Sequence, residues 1–254
     1  MPAYQPHTTY RIWFSQRNGS TLLCKGLEQT GVAGTPGEYF NLMESESLRG
    51  KYGIRTYDEL KAKLWEIGGT PNGVFGIKHS LNQVILDEIR SLRGIGSQDS
   101  VDDEALLADL FPNCKHIYLT RRNKVRQAVS WWKAIKDNVW HLDADHNHTN
   151  DEAFYRDHYD FAALSHLFKE ANLRECAIQE YFTKYGIRPL TLVYEDFIHS
   201  YRDTIRQLLH YLGIPADGVV IQDMYSSKTA TERSELWVQR FRTDLQLEME
   251  KKVW

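Results

Sequence analysis

The stretch FSQRNGSTLL, from Phe14 to Leu23, combines the residue types that hold an anion. It follows the apolar run containing Tyr10, Ile12 and Trp13 and gives way to a helical pattern, so the order is strand, tight polar loop, helix. Such a junction offers an anion its backbone. The first N–H groups of a helix have no intrahelical partners and carry the positive end of the helix dipole. Gly19 lets the chain approach a ligand closely, and Ser20 and Thr21 add hydroxyl donors. Arg17 adds a planar fork suited to phosphate or sulfate oxygens. A plain N-cap by Ser20 or Thr21 is the competing reading. The Walker pattern GxxxxGK[ST] fails, because no lysine precedes Ser20 and Thr21. A nucleotide-triphosphate enzyme needs that lysine for the β- and γ-phosphates. Its absence points to a donor with a single 5′-phosphate end.

Other segments carry charge or proton-transfer groups. YLTRRNKVRQAVS ends a strand pattern on Arg121 and Arg122 and places Ser130 in the following helix; a basic surface turn capped by Asn123 is the simpler reading. Glu38 in TPGEYF is a loop carboxylate, and Lys78 and His79 in GIKHSLNQ close a strand pattern. Arg233 and Ser234 in KTATERSELWVQRFR read equally as a basic closing loop and as a solvated helix face. HLDADHNH gathers His141, Asp143, Asp145, His146 and His148, but a mobile acidic loop explains them as well as a metal site does, and no metal is expected. Glu195 and Asp196 in YEDF read as structural support or an N-cap, and Trp131 and Trp132 as core residues rather than base stackers.

These groups need a scaffold to bring them together. Strand patterns lie at 10–15, 73–78, 116–121 and 189–195, all nearly continuous apolar runs of the kind found in parallel strands covered on both faces. Helical periodicity marks STLLCKGLEQTG, NQVILDEIRSL, NKVRQAVSWWKAIKDNVW, a long stretch from Phe161 to Gly186, and YRDTIRQLLHYLGIP. The alternation predicts an α/β fold with a central parallel sheet flanked by helices, in a single domain over 1–254. Segments 32–56, 94–103 and 141–152 read as irregular, and the first is placed to cover a ligand site.

The 254 residues, 42% of them hydrophobic, are enough for a full core. A net charge of −3 opposes a general nucleic-acid or anionic-membrane binder. Cys24, Cys114 and Cys176 are odd in number and lack metal spacing, which suits a reducing cytoplasm. The N-terminal residues lack a secretory pattern, and no apolar run approaches the ~20 residues of a membrane helix.

Five blocks in order resemble the bacterial carbohydrate sulfotransferases, and in particular their trehalose-sulfating branch: SQRNGSTLL, GVAGTPGEYF, TPNGVFGIKHSLNQ, RRNKVRQAVSWWKA and ERSELWVQRFRTD. The resemblance implies a P-loop-like sulfotransferase fold. It also implies transfer of a sulfuryl group from 3′-phosphoadenosine 5′-phosphosulfate (PAPS) to a hydroxyl of a carbohydrate or glycolipid acceptor, with a homodimer as a further option. By the same resemblance Arg17, Asn18, Gly19, Ser20, Thr21 and Leu22 bind the 5′-phosphosulfate. Ser130 and one arginine bind the 3′-phosphate: spacing in sulfotransferases at large matches Arg122, and the trehalose-type pattern aligns Arg121. Arg233 and Ser234 close over the nucleotide. Glu38 falls at the general base and His79 is the runner-up, while Lys78 neutralises charge on the bridging oxygen. A P-loop-type nucleotide kinase and a non-catalytic phosphate-binding module are the rival readings.

Overall fold

Tyr10 and Ile12 alternate with Arg11 and Trp13 along the first strand, β1 (Thr8–Trp13), and all four are buried. Burial on both faces is what the middle of a parallel sheet demands. The computed structural model describes residues 5–42, 47–96, 99–137, 158–224 and 232–251. In it β1 is the central strand of a five-stranded sheet, flanked by β3 (Val74–Lys78) and β4 (Cys114–Thr120), both parallel to it. β5 (Leu190–Val193) extends the sheet in parallel beyond β4, and the two-residue β2 (Gly69–Thr70) pairs antiparallel with β3.

Side-chain parity assigns each residue to a face. Ile12 lies opposite Lys78 on β3 and Ile117 on β4, so these three share one face. That face is covered by α1 (Ser20–Glu28), α8 (Tyr194–His199) and α9 (Tyr201–Leu212), through Leu23, Leu27, Phe197, Ile205, Leu208 and Leu209. On the other face Phe75 and Ile77 pack against α3 (Tyr57–Gly68), α4 (Gln83–Leu92) and α5 (Asp103–Leu107), beside α2 (Leu48–Tyr52). Trp13 and Tyr118 meet Phe182 of the long helix α7 (Phe161–Tyr185) there. A further cluster joins α6 (Lys124–Asp137) to α7 and α10 (Glu232–Glu250) through Val129, Leu164, Val238 and Phe241. Each fully buried side chain of this kind contributes roughly 1.5–3 kcal/mol.

Several expected boundaries shift; the strands expected at 73–78 and 116–121 run over Val74–Lys78 and Cys114–Thr120. The strand expected at 10–15 runs over Thr8–Trp13, leaving Phe14 and Ser15 to the loop. The strand expected at 189–195 stops at Val193, because Tyr194 opens α8. Segment 32–56 is not irregular throughout: Ser47 accepts a hydrogen bond from Gly50 N and starts α2. The HLDADHNH cluster lies outside the described residues.

Candidate active site

The loop after β1 is held from below. Asn18 is fully buried; its amide nitrogen donates to the Leu119 carbonyl of β4, and its amide oxygen accepts from Ser20 N at 3.3 Å. Both ends of this side chain are occupied by protein, so Asn18 shapes the loop from the inside. Arg17 adopts a left-handed backbone (φ 61°), a strained state for a residue with a Cβ. Gly19, at φ 92° and ψ 9°, precedes α1, and its carbonyl accepts from Leu23 N at 3.1 Å. A Cβ on Gly19 would fall 2.7 Å from Cε2 of Tyr194 and closer still to Cδ2, so only glycine fits. Ser20 and Thr21 open α1, and Leu22 packs partly against the core beneath. The first turn of α1 carries no acidic residue, so its positive end remains available to an outside anion.

Two guanidinium groups converge beside this loop. Arg17 Nε donates to Ser130 Oγ at 3.2 Å, and Arg121 donates to the Arg17 carbonyl at 3.0 Å. The Arg121 guanidinium lies 4.7 Å over the Tyr194 ring, the same ring that fills the space beside Gly19. Burial, followed by the neighbouring Arg121 charge, lowers Arg17 from its ordinary value, and burial lowers Arg121 as well. Two desolvated like charges and a hydroxyl in one place suit a polyanion. Arg122 is oriented differently. Its side chain is 62% exposed and pairs with Asp196 at 2.8 Å. Glu195 accepts from the backbone N–H groups of Arg122 and Asn123 at 2.9 and 3.0 Å, the supporting role expected of YEDF.

Glu38 arrives by a different route. The Gly37 carbonyl accepts from Lys78 N at 2.9 Å, and Gly37 forms a parallel bridge with Ile77, so the loop after α1 runs along β3. Buried Phe40 anchors its far side. This places Glu38 Oε1 2.5 Å from Lys78 Nζ. Lys78 Nζ also lies 3.4 Å from Thr21 Oγ1 and 4.3 Å over the Phe14 ring. Lys78 therefore stands between the anion loop and the Glu38 carboxylate.

His79, the next residue, lies on the opposite side. Its ring stacks on Trp13 at 3.7 Å, and its Nδ1 is shielded from solvent without a hydrogen-bond partner. Burial first, then the charges of Arg11 and His116, hold it well below its usual pKa. The structure thus brings together Arg17, Ser20, Thr21, Lys78, Glu38, Arg121 and Ser130, and separates His79 and Arg122 from them. Ser234 sits half-buried in the first turn of α10, which the Arg126–Glu235 pair at 2.6 Å ties to α6; the Arg233 side chain lies outside the described residues. Among the described residues no group of three or more His, Cys, Asp or Glu is arranged to hold a metal ion. No helix among them is long and apolar enough to cross a membrane.

Two residues at this site carry no motif signal. Tyr194 fills the space that glycine leaves. Glu175 sits on the buried stripe of α7 formed by Leu164, Leu167, Ala171 and Phe182, and a carboxylate at an apolar position of that stripe was the one available sign.

Comparison with known proteins identifies the family. The family model described as Stf0 sulphotransferase matches residues 9–244. The trehalose 2-sulfotransferase of Mycolicibacterium smegmatis is 28% identical over 268 residues, covering 94% of this chain and 96% of that protein. The trehalose 2-sulfotransferase of Mycobacterium tuberculosis is 25% identical over 260 residues, covering 92% and 94%. Among solved structures, a sulfotransferase from Alicyclobacillus acidocaldarius aligns over 98% of this chain and 97% of its own, at 15% identity and a TM-score of 0.48. With a family match running from β1 to α10, the chain is a sulfotransferase and belongs to the Stf0 sulphotransferase family.

Proposed function

We propose that this sulfotransferase takes its sulfuryl group from PAPS and delivers it to a hydroxyl of a carbohydrate or glycolipid, with Glu38 as general base. The observation that carries the donor reading is the desolvated Arg17–Arg121 pair, with Ser130, beside the open N-terminus of α1. A nucleotide with phosphate groups at both its 3′ and 5′ positions matches two neighbouring guanidiniums and a hydroxyl. Arg121 and Ser130 are assigned to the 3′-phosphate and the loop from Arg17 to Leu22 to the 5′ end. Arg233 and Ser234, at the start of α10, are assigned to closure over the nucleotide. The acceptor class rests on the two relatives, which by name act on trehalose. The free thiols of Cys24, Cys114 and Cys176 suit a reducing cytoplasm.

The reaction assigned to these groups is an in-line displacement at sulfur. The acceptor oxygen forms the new S–O bond as the bond from sulfur to the 5′-phosphate oxygen breaks, with charge building on the leaving phosphate. Arg17, Lys78 and the N–H groups of α1 are assigned to that charge, as groups that the fold holds in place before the reaction. The Glu38 carboxylate takes the acceptor proton, and Lys78, within reach of both Glu38 and Thr21, balances charge on either side of the transfer. His79 is the weaker choice of base, because it stacks on Trp13 away from Lys78.

A thermal-shift comparison of adenosine 3′,5′-bisphosphate (PAP), ADP, and ATP with Mg²⁺ tests the donor. Stabilisation by PAP well above that by ADP or ATP supports the reading, and preference for ATP with Mg²⁺ favours a kinase. Transfer of labelled sulfate from PAPS to a panel of sugars beginning with trehalose tests the acceptor. PAP binding with no transfer to any hydroxyl acceptor would favour a non-catalytic binding module.

A further inference from the structure

Beneath the two guanidiniums lies a buried polar network that the proposed chemistry does not use. The Glu175 side chain, only 9% exposed, accepts from Ser15 Oγ at 3.0 Å, Thr120 Oγ1 at 2.8 Å and Lys124 Nζ at 2.6 Å. Lys124 gives its other protons to Thr120 Oγ1 at 3.2 Å and the Arg121 carbonyl at 2.7 Å. Gln127 donates to Ser15 Oγ at 2.8 Å and the Gln16 carbonyl at 2.7 Å. Gln127 Oε1 also lies 3.5 Å from Lys124 Nζ, so the two hydroxyls, the ammonium and the Gln127 amide all find acceptors within the network and hold one another in place.

The positions it joins give it a purpose. Ser15 and Gln16 lead into Arg17 from the end of β1, and Thr120 leads into Arg121 at the end of β4. One carboxylate gathers the two strand ends that carry the paired guanidiniums. Burying an ion pair at an apolar stripe of a helix costs desolvation that a leucine there would avoid. Stability alone gives little reason for a charge at this position; defined geometry does.

We infer that Glu175 is a positioning residue for the donor site, acting through Ser15, Thr120 and Lys124 to fix the separation of Arg17 and Arg121. The inference rests on the PAPS reading above. Removing Glu175 alone would leave the Lys124 charge near the donor and attract anions for an unrelated reason. The test therefore removes the whole pair, Glu175→Leu with Lys124→Met, which leaves the local net charge unchanged and suits the apolar stripe.

PAP binding by calorimetry, well below the melting temperature, reads affinity and the competent fraction separately. A merely structural role lowers the fraction that binds and leaves the dissociation constant alone. A positioning role raises the dissociation constant at least tenfold with a stoichiometry still near one. Unchanged affinity in the folded pair variant overturns the inference. If that variant does not fold, Thr120→Val removes one donor to Glu175 at little change in volume. A threefold or greater loss of affinity is then expected, and none overturns it. If the wild type itself fails to bind PAP, the donor reading falls instead, so the two failures are distinguishable.

Discussion

Replacing Gly19 with alanine perturbs the loop in two separable ways. The backbone at φ 92° is one that an L-residue adopts at a cost of about 1–2 kcal/mol. The new methyl would also enter the Tyr194 ring, 2.7 Å from Cε2. The ring cannot retreat freely, because the Arg121 guanidinium lies 4.7 Å over it. Overpacking of this kind costs about 1–3 kcal/mol, so Gly19→Ala should lose roughly 2–5 kcal/mol of stability. Tyr194→Ala empties the space, so in the double variant the steric part vanishes and the backbone part remains. Urea unfolding of the four proteins in this cycle should give a coupling of about 1–3 kcal/mol, with Gly19→Ala less damaging in the Tyr194→Ala background. PAP affinity, measured alongside, should fall in Gly19→Ala because the displaced ring carries Arg121. Strict additivity of the unfolding energies would show that Tyr194 does not limit Gly19, and would refute the reasoning.

Three further outcomes follow from the same geometry. Arg121→Ala should lower PAP affinity more than AMP affinity and Arg122→Ala should change neither by more than about twofold, its partner being a surface carboxylate; the reverse pattern in calorimetry would move the 3′-phosphate to Arg122. Glu38→Gln should keep PAP affinity and lose roughly 10²–10⁴-fold in sulfate transfer, while His79→Ala keeps most turnover; a collapse confined to His79→Ala would exchange their roles. His116 is pulled down to about 4 by burial and then Arg11, with Glu104 opposing, and Trp13 Nε1 donates to its Nδ1 at 3.0 Å. The folded state thus binds fewer protons than the unfolded state between about pH 4 and 6.5. Stability should fall as pH drops through that window, with His79 adding in the same direction. His116→Gln should flatten the melting-temperature profile there, and an unchanged slope would refute the assignment.

The elements that position the site were legible where a local signal existed. Continuous apolar runs marked the four parallel strands, and the strand–loop–helix order marked the anion loop, because a sheet buried on both faces and a helix N-terminus both depend on nearby residues. Convergence was less legible. Glu38 and Lys78 meet because a loop hydrogen-bonds along β3, and no periodicity encodes that register. The choice between Arg121 and Arg122 was open in the sequence, since adjacent residues share every motif. Their surroundings separate them, Arg121 over the Tyr194 ring and Arg122 beside Asp196. Glu175 lies more than fifty residues from Thr120 and one hundred and sixty from Ser15, so its role emerges only when the sheet and α7 are assembled. The early end of β5 was missed because Tyr194 suits a strand by propensity, and helix α8 overrides it.

The paired guanidiniums also carry an energetic consequence. Arg17 and Arg121 disfavour each other's charge, a repulsion that Glu195, 3.9 Å from Arg121 Nε, offsets in part. An anion that enters relieves that repulsion besides forming its own contacts. On the PAPS reading, occupancy by the donor, or by the desulfated product that keeps both phosphate groups, then braces the C-terminal ends of β1 and β4. On the same reading, those strand ends are least braced in the interval between product release and the next donor.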